Sequence, residues 1–92
     1  MIELVKVTQV RAMAGHRLWL RFSDRSEGVA DLSDLIATEG EMVRALQDPA
    51  MFDRVFVTFG VPTWPNGFDL DAVALHDRLA GEGNLARPTA AE

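Results

Sequence analysis

The seven residues Arg17-Leu18-Trp19-Leu20-Arg21-Phe22-Ser23 set the frame for the whole chain. Successive side chains of an extended strand point to opposite faces, so Leu18, Leu20 and Phe22 share one face and Arg17, Trp19 and Arg21 the other. That is the pattern of a half-buried strand. Upstream, residues 3 to 11 are rich in Val and Thr and read as a second strand, with Ala14-Gly15-His16 as the turn of an antiparallel hairpin. Downstream, 24 to 28 form a polar, glycine-terminated turn, and Gly28-Val29-Ala30-Asp31-Leu32 is a third strand returning beside the second.

Helical signals follow. Thr38-Glu39-Gly40-Glu41 fits a capping box, with Met42, Val43, Ala45 and Leu46 supplying an apolar face. Proline disfavours helical geometry in the residue before it, so this helix ends near Asp48-Pro49, and Asp48 caps a short turn over 49 to 52. The β-branched and aromatic run Val55-Phe56-Val57-Thr58-Phe59 reads as a fourth strand. Ala72, Leu75 and Leu79 mark a final helix over about 70 to 80, capped by Asp69 or Asp71 and stopped by Gly81-Glu82-Gly83. The expected fold is a small single α+β domain over residues 1 to 81. It has an antiparallel sheet of about four strands, the N-terminal hairpin plus two more, and two main helices. Residues 82 to 92 are expected to be a disordered tail.

A chain of 92 residues holds one modest core, burying roughly 65% of the surface its unfolded form exposes. Without cysteine there is no disulfide, thiolate nucleophile or Cys-type metal site. Met1 to Lys6 interleaves charged and apolar residues, unlike a signal peptide, and no apolar run is long enough to cross a bilayer, so a cytoplasmic protein is expected. The net charge of −5 argues against non-specific nucleic-acid binding. Within residues 1 to 25, however, Lys6, Arg11, Arg17, Arg21 and Arg25 outnumber Glu3 and Asp24, a local +3 against −8 for the rest.

Three places invite a functional reading. Val61 to Asp71 is dense in unusual residues, and Asn66, Asp69 and Asp71 offer oxygens, but a calcium loop needs more ligands at regular spacing. The structural reading is that Trp64-Pro65-Asn66-Gly67 is a turn, Trp64 a core anchor, and Asp69 or Asp71 the helix cap. His16, in a hairpin turn, and His76, on the outer part of a helix, have no nucleophile at a spacing that would make either a general base. The third place is the face bearing Arg17, Trp19 and Arg21, residue types enriched at interaction hot spots. Either a partner docks there, or a helix or tail covers it with the arginines salt-bridged at the rim.

Phe22-Ser23-Asp24, Asp31-Leu32, Leu46 with Asp48 and Phe52, and above all Trp64-Pro65-Asn66-Gly67 followed by Asp69-Leu70, resemble the small bacterial family Domain of Unknown Function 2442 over about residues 3 to 76. The chain departs from that pattern in its longer turn, Arg25-Ser26-Glu27-Gly28 where glycine usually follows Phe-Ser-Asp, and in His76 where an aromatic is frequent. The resemblance implies a compact α+β domain without established catalysis, often encoded beside a second small protein as in toxin–antitoxin pairs. The expectation is a non-enzymatic interaction module without a metal or cofactor. It is antitoxin-like and binds a small partner protein, such as the product of the adjacent gene, through Arg17, Trp19 and Arg21. Homodimerisation through a sheet edge is a further expectation. The alternative is an accessory transcription-regulatory domain that touches nucleic acid through the basic hairpin.

Overall fold

The computed structural model describes residues 4–38 and 40–86. Strands β1 (Val7–Met13), β2 (Arg17–Phe22) and β3 (Glu27–Asp31) form an antiparallel meander in that order. The alternation in β2 places its residues as expected: Leu18, Leu20 and Phe22 are buried. Leu18 lies between Ala12 and Ala30, and Leu20 between Val10 and Gly28. The register shifts between Val7 and Gln9, making Thr8 the extra residue of a bulge, and the Thr8 hydroxyl donates to the Arg21 carbonyl at 3.2 Å. His16 holds the hairpin turn to the rest of the domain. Its Nε2 donates to the Gln47 carbonyl at 3.2 Å and its ring meets Phe52 edge-on at 5.0 Å.

Four helices follow the meander and flank a second sheet. Helix α1 (Ser33–Ile36) was hidden in the sequence because a single turn has no periodicity to detect. Helix α2 (Glu41–Ala45) starts at Gly40 with no side-chain cap, which corrects the capping box: the Thr38 hydroxyl donates backwards to the Leu35 carbonyl at 2.6 Å. Glu39, the second residue of that box, lies outside the described residues. Helix α3 (Pro49–Phe52) is as expected, with the Asp48 carboxylate accepting from the Ala50 amide at 3.0 Å and proline in the first turn.

The α+β class stands, but its strands divide between two sheets instead of forming one of four. Among the described residues, strand β4 (Phe56–Thr58) pairs only with β5 (Val61–Thr63), a strand that the sequence concealed behind Pro62. The connecting residues Phe59 (φ 50°) and Gly60 (φ 75°) both adopt the left-handed region, the signature of a type I′ hairpin turn. So tight a turn folds β4 back on its neighbour at once. The ribbon docks beside β1 by one backbone bond, from the Val7 amide to the Gly60 carbonyl at 2.8 Å.

The Trp64-Pro65-Asn66-Gly67 corner is a hydrogen-bonded turn. The Gly67 amide donates to the Trp64 carbonyl and the Trp64 amide to the Phe68 carbonyl, both at 2.9 Å. Gly67 has φ 92°, a conformation glycine adopts without steric cost. Asn66 ties the turn to α2 through Nδ2 to the Met42 carbonyl at 3.0 Å. Trp64 is buried and donates from Nε1 to the Phe52 carbonyl at 2.9 Å, its ring 5.7 Å from those of Phe52 and Phe68. Helix α4 (Ala72–Gly81) is capped by Asp71, whose Oδ2 accepts from the Ala74 amide at 2.9 Å. Asp69 is not the cap. It sits two residues too early and forms a β-bridge with Thr63 instead.

Of the expected tail, residues 87–92 lie outside the described residues. The described part turns at Gly83 (φ 72°), and the Asn84 amide returns to the Leu79 carbonyl at 2.9 Å. Ala86 then exchanges both backbone bonds with Glu27, at 2.8 and 2.9 Å.

Candidate functional site

The registers of β1, β2 and β3 assemble the outer face of the meander. Arg17 stands between Met13 and Asp31, Trp19 between Arg11 and Val29, and Arg21 between Gln9 and Glu27. None of these nine residues is buried. The buried side chains Leu18, Leu20 and Ala30 point the other way, and Leu79 of α4 lies on that inner side, 3.4 Å from where a side chain on Gly28 would begin. Arg17, Trp19 and Arg21 therefore share one face, as their spacing requires. Trp19 is half-buried at its centre, with the Arg11 guanidinium 5.8 Å from the ring centroid, within cation–π range. Arg11 is a member of this face that the sequence reading missed. Its place opposite Trp19 depends on the bulge at Thr8, which periodicity does not reveal.

The charges on the face are arranged in opposed pairs. Arg17 faces Asp31 and Arg21 faces Glu27, yet no ion pair within 4 Å among the described residues includes any of the three arginines. Arg17 Nε donates to the Ala14 carbonyl at 2.9 Å. The Asp31 carboxyl is held below the usual carboxylate range by hydrogen bonds from the Ser33 backbone amide and hydroxyl, with Arg17 and Arg78 adding to the effect. An open concavity beside Trp19 and Val29 is bounded by Asn84 and Ala86.

A second cluster joins β2, its following turn and α4. The Asp24 carboxylate accepts from His76 Nε2 at 2.8 Å, from the Ser26 amide at 2.9 Å and from the Ser26 hydroxyl. Partial burial pulls the Asp24 carboxyl upward, but these bonds outweigh it, those from Ser26 most, and hold its pKa at about 2. The His76 ring meets buried Phe22 edge-on at 5.0 Å. His76 is thus half-buried against the sheet, not on the outer part of its helix. The order of contacts is Ser26, Asp24, His76, with the carboxylate in the middle. The imidazole cannot receive the serine proton in that order, whereas a nucleophilic triad needs histidine between the other two. The cluster ties the long turn after β2 to α4.

The Val61 to Asp71 stretch brings no ligand set together. Asn66 Oδ1 accepts from the Phe68 amide at 3.1 Å while its Nδ2 holds α2, Asp69 bridges Thr63, and Asp71 caps α4. Among the described residues no group of three His, Asp or Glu side chains is placed to share a metal ion, and no helix is long and apolar enough to cross a membrane.

No curated protein and no solved structure matches the chain. The model of a family described as a protein of unknown function (DUF2442) matches residues 7–80, from the start of β1 into the last turns of α4. A match over that share of the sequence identifies the family, and the chain belongs to DUF2442.

Proposed function

We propose that this domain is a non-enzymatic interaction module, antitoxin-like and cytoplasmic, that binds a small partner protein through the face of Arg17, Trp19 and Arg21. The observation that carries this reading is an outer face none of whose nine described residues is buried, with a half-buried indole at its centre and the Arg11 guanidinium 5.8 Å from the ring centroid. Trp and Arg are among the residue types enriched at the hot spots of protein interfaces, which cluster near the interface centre. A protein partner is favoured over nucleic acid because Asp31 and Glu27 stand opposite Arg17 and Arg21 and offset the positive potential that phosphate binding draws on.

The test is co-expression with the product of the adjacent reading frame. The wild-type domain co-purifies with it, and Trp19→Ala combined with Arg21→Glu abolishes the association while the far-UV spectrum stays unchanged. Undiminished binding by a folded double variant refutes the site. Binding to DNA or RNA that weakens steeply with added salt would favour the nucleic-acid reading instead.

A further inference from the structure

The outer face is too small to hold a partner alone. Three strands about 4.8 Å apart and five residues long at about 3.3 Å per residue cover roughly 15 by 17 Å. Even doubled for side-chain relief, that is roughly 500 Å², short of the ~800 Å² per partner of a stable complex. A partner seated on Trp19 must therefore continue past one edge of the meander, and the two edges differ.

The β3 edge is occupied. Glu27 exchanges both backbone bonds with Ala86, and the Asp31 carbonyl accepts from Arg78 Nη2 at 2.6 Å. Among the described residues, the β1 edge makes a backbone bond to the adjacent ribbon only at its start, where the Val7 amide reaches Gly60. Beyond the bulge, the direction of each backbone group follows from the hydrogen bonds of β2. The Phe22 amide donates to Ser26 on the β3 side, so by alternation Leu18 and Leu20 also face β3, and Arg17, Trp19 and Arg21 face β1. Their partners Met13, Arg11 and Gln9 are thereby turned inward, and Val10 and Ala12 direct their amides and carbonyls away from the sheet. No backbone bond among the described residues reaches those groups. This edge carries no proline or lysine, the usual guards of an exposed strand.

Alongside Val10 and Ala12 runs a concavity that Pro49, Val55 and Asp53 also line, with buried Phe52 beneath it. Free amides and carbonyls at alternate residues call for another backbone, and an apolar wall calls for apolar side chains. With α3 standing opposite, the space between β1 and α3 suits one extended strand better than the edge of a second folded copy.

We propose that an extended segment of the partner protein, about four residues long with apolar side chains at alternate positions, adds to β1 as an antiparallel or parallel strand at Val10–Ala12. This is strand addition, in which main-chain bonds supply affinity and side-chain pockets select the sequence. The assignment rests on the interaction-module reading and extends its face across the β1 edge.

The experiment selects phage-displayed random dodecapeptides on the immobilised full-length protein and measures the enriched peptides in solution. Sequences with alternating apolar residues are expected, and Ala12→Pro should weaken their binding at least tenfold. That substitution is compatible with the fold, because it removes an amide hydrogen that points out of the sheet. Amide exchange on the wild-type protein provides a readout independent of any variant: the Val10 and Ala12 amides exchange rapidly when free and become protected by peptide. Failure to enrich any sequence, or peptides that leave these amides unprotected, overturns the proposal. So does a dimer of the free protein that Ala12→Pro dissociates, which would assign the edge to a second copy. Trp19→Ala separates the two readings. Loss with Ala12→Pro alone retains the edge and removes the face, and loss with Trp19→Ala alone does the reverse.

Discussion

Removing the Trp64 side chain tests the corner most directly. The indole is buried, packs against Phe52 and Phe68, and supplies a hydrogen bond to the Phe52 carbonyl at 2.9 Å. Trp64→Ala opens a large cavity and should cost about 3 to 5 kcal/mol. A domain of this size has on the order of 5 to 14 kcal/mol in total, so the variant loses from roughly a fifth to all of its stability. Trp64→Phe separates the two contributions. It refills most of the cavity but leaves a buried carbonyl without its donor, worth about 1 to 3 kcal/mol. Urea unfolding followed by far-UV circular dichroism measures both variants, and with a slope of about 1.5 kcal/mol/M the alanine variant's midpoint falls by about 2 to 3 M. A loss below about 1 kcal/mol with an unchanged slope refutes the packing argument. A stably folded Trp64→Ala protein that no longer binds its partner would show the corner to be a binding site in its own right.

Three further outcomes follow from local geometry. Asp71→Ala should destabilise the domain by about 1 kcal/mol through loss of the α4 cap, and Asp69→Ala by less than about 0.5 kcal/mol, compared by thermal melting. Phe59 is 97% exposed with φ 50°, so Phe59→Asn should stabilise the domain by about 0.5 to 1 kcal/mol, because asparagine suits the first position of a type I′ turn; a lower melting temperature would contradict this. Asp24 has its folded pKa depressed to about 2 from 3.8, so its contribution is complete above pH ~4 and disappears as the pH falls through about 2. A drop of that size corresponds to roughly 2 kcal/mol, reduced to about 1 kcal/mol by solvent around the partly exposed carboxylate. Denaturant midpoints of wild type and Asp24→Asn should therefore converge between pH 4 and 2.

The parts legible in the sequence are those governed by short-range rules. Period-two alternation alone separates Leu18, Leu20 and Phe22 from Arg17, Trp19 and Arg21, and Asp48-Pro49 announces α3 because capping and fixed φ act within three residues. What is not legible depends on contacts distant along the chain or on near-equal local choices. His76 meets Asp24 across 52 positions, which no spacing rule reports. Asp69 and Asp71 are chemically equivalent candidates, and the bridge of Asp69 to Thr63 decides between them. Pro62 speaks against a strand, yet β5 tolerates it because the hairpin register turns the Pro62 nitrogen away from β4, and on that other side only its carbonyl is used, accepting from the Leu70 amide at 3.1 Å. Arg11 reaches the candidate face only through the register shift at Thr8.

The placement of the two tryptophans gives the protein a pair of separable optical reporters. Trp64 is buried, so its emission should be blue-shifted and insensitive to quenchers until the domain unfolds. Trp19 is half-buried on the outer face, where a small collisional quencher such as acrylamide or iodide can reach it from water. Iodide should therefore extinguish Trp19 and spare Trp64. Occlusion of that ring by a bound molecule then registers as lost iodide sensitivity while the Trp64 signal certifies that the fold is intact.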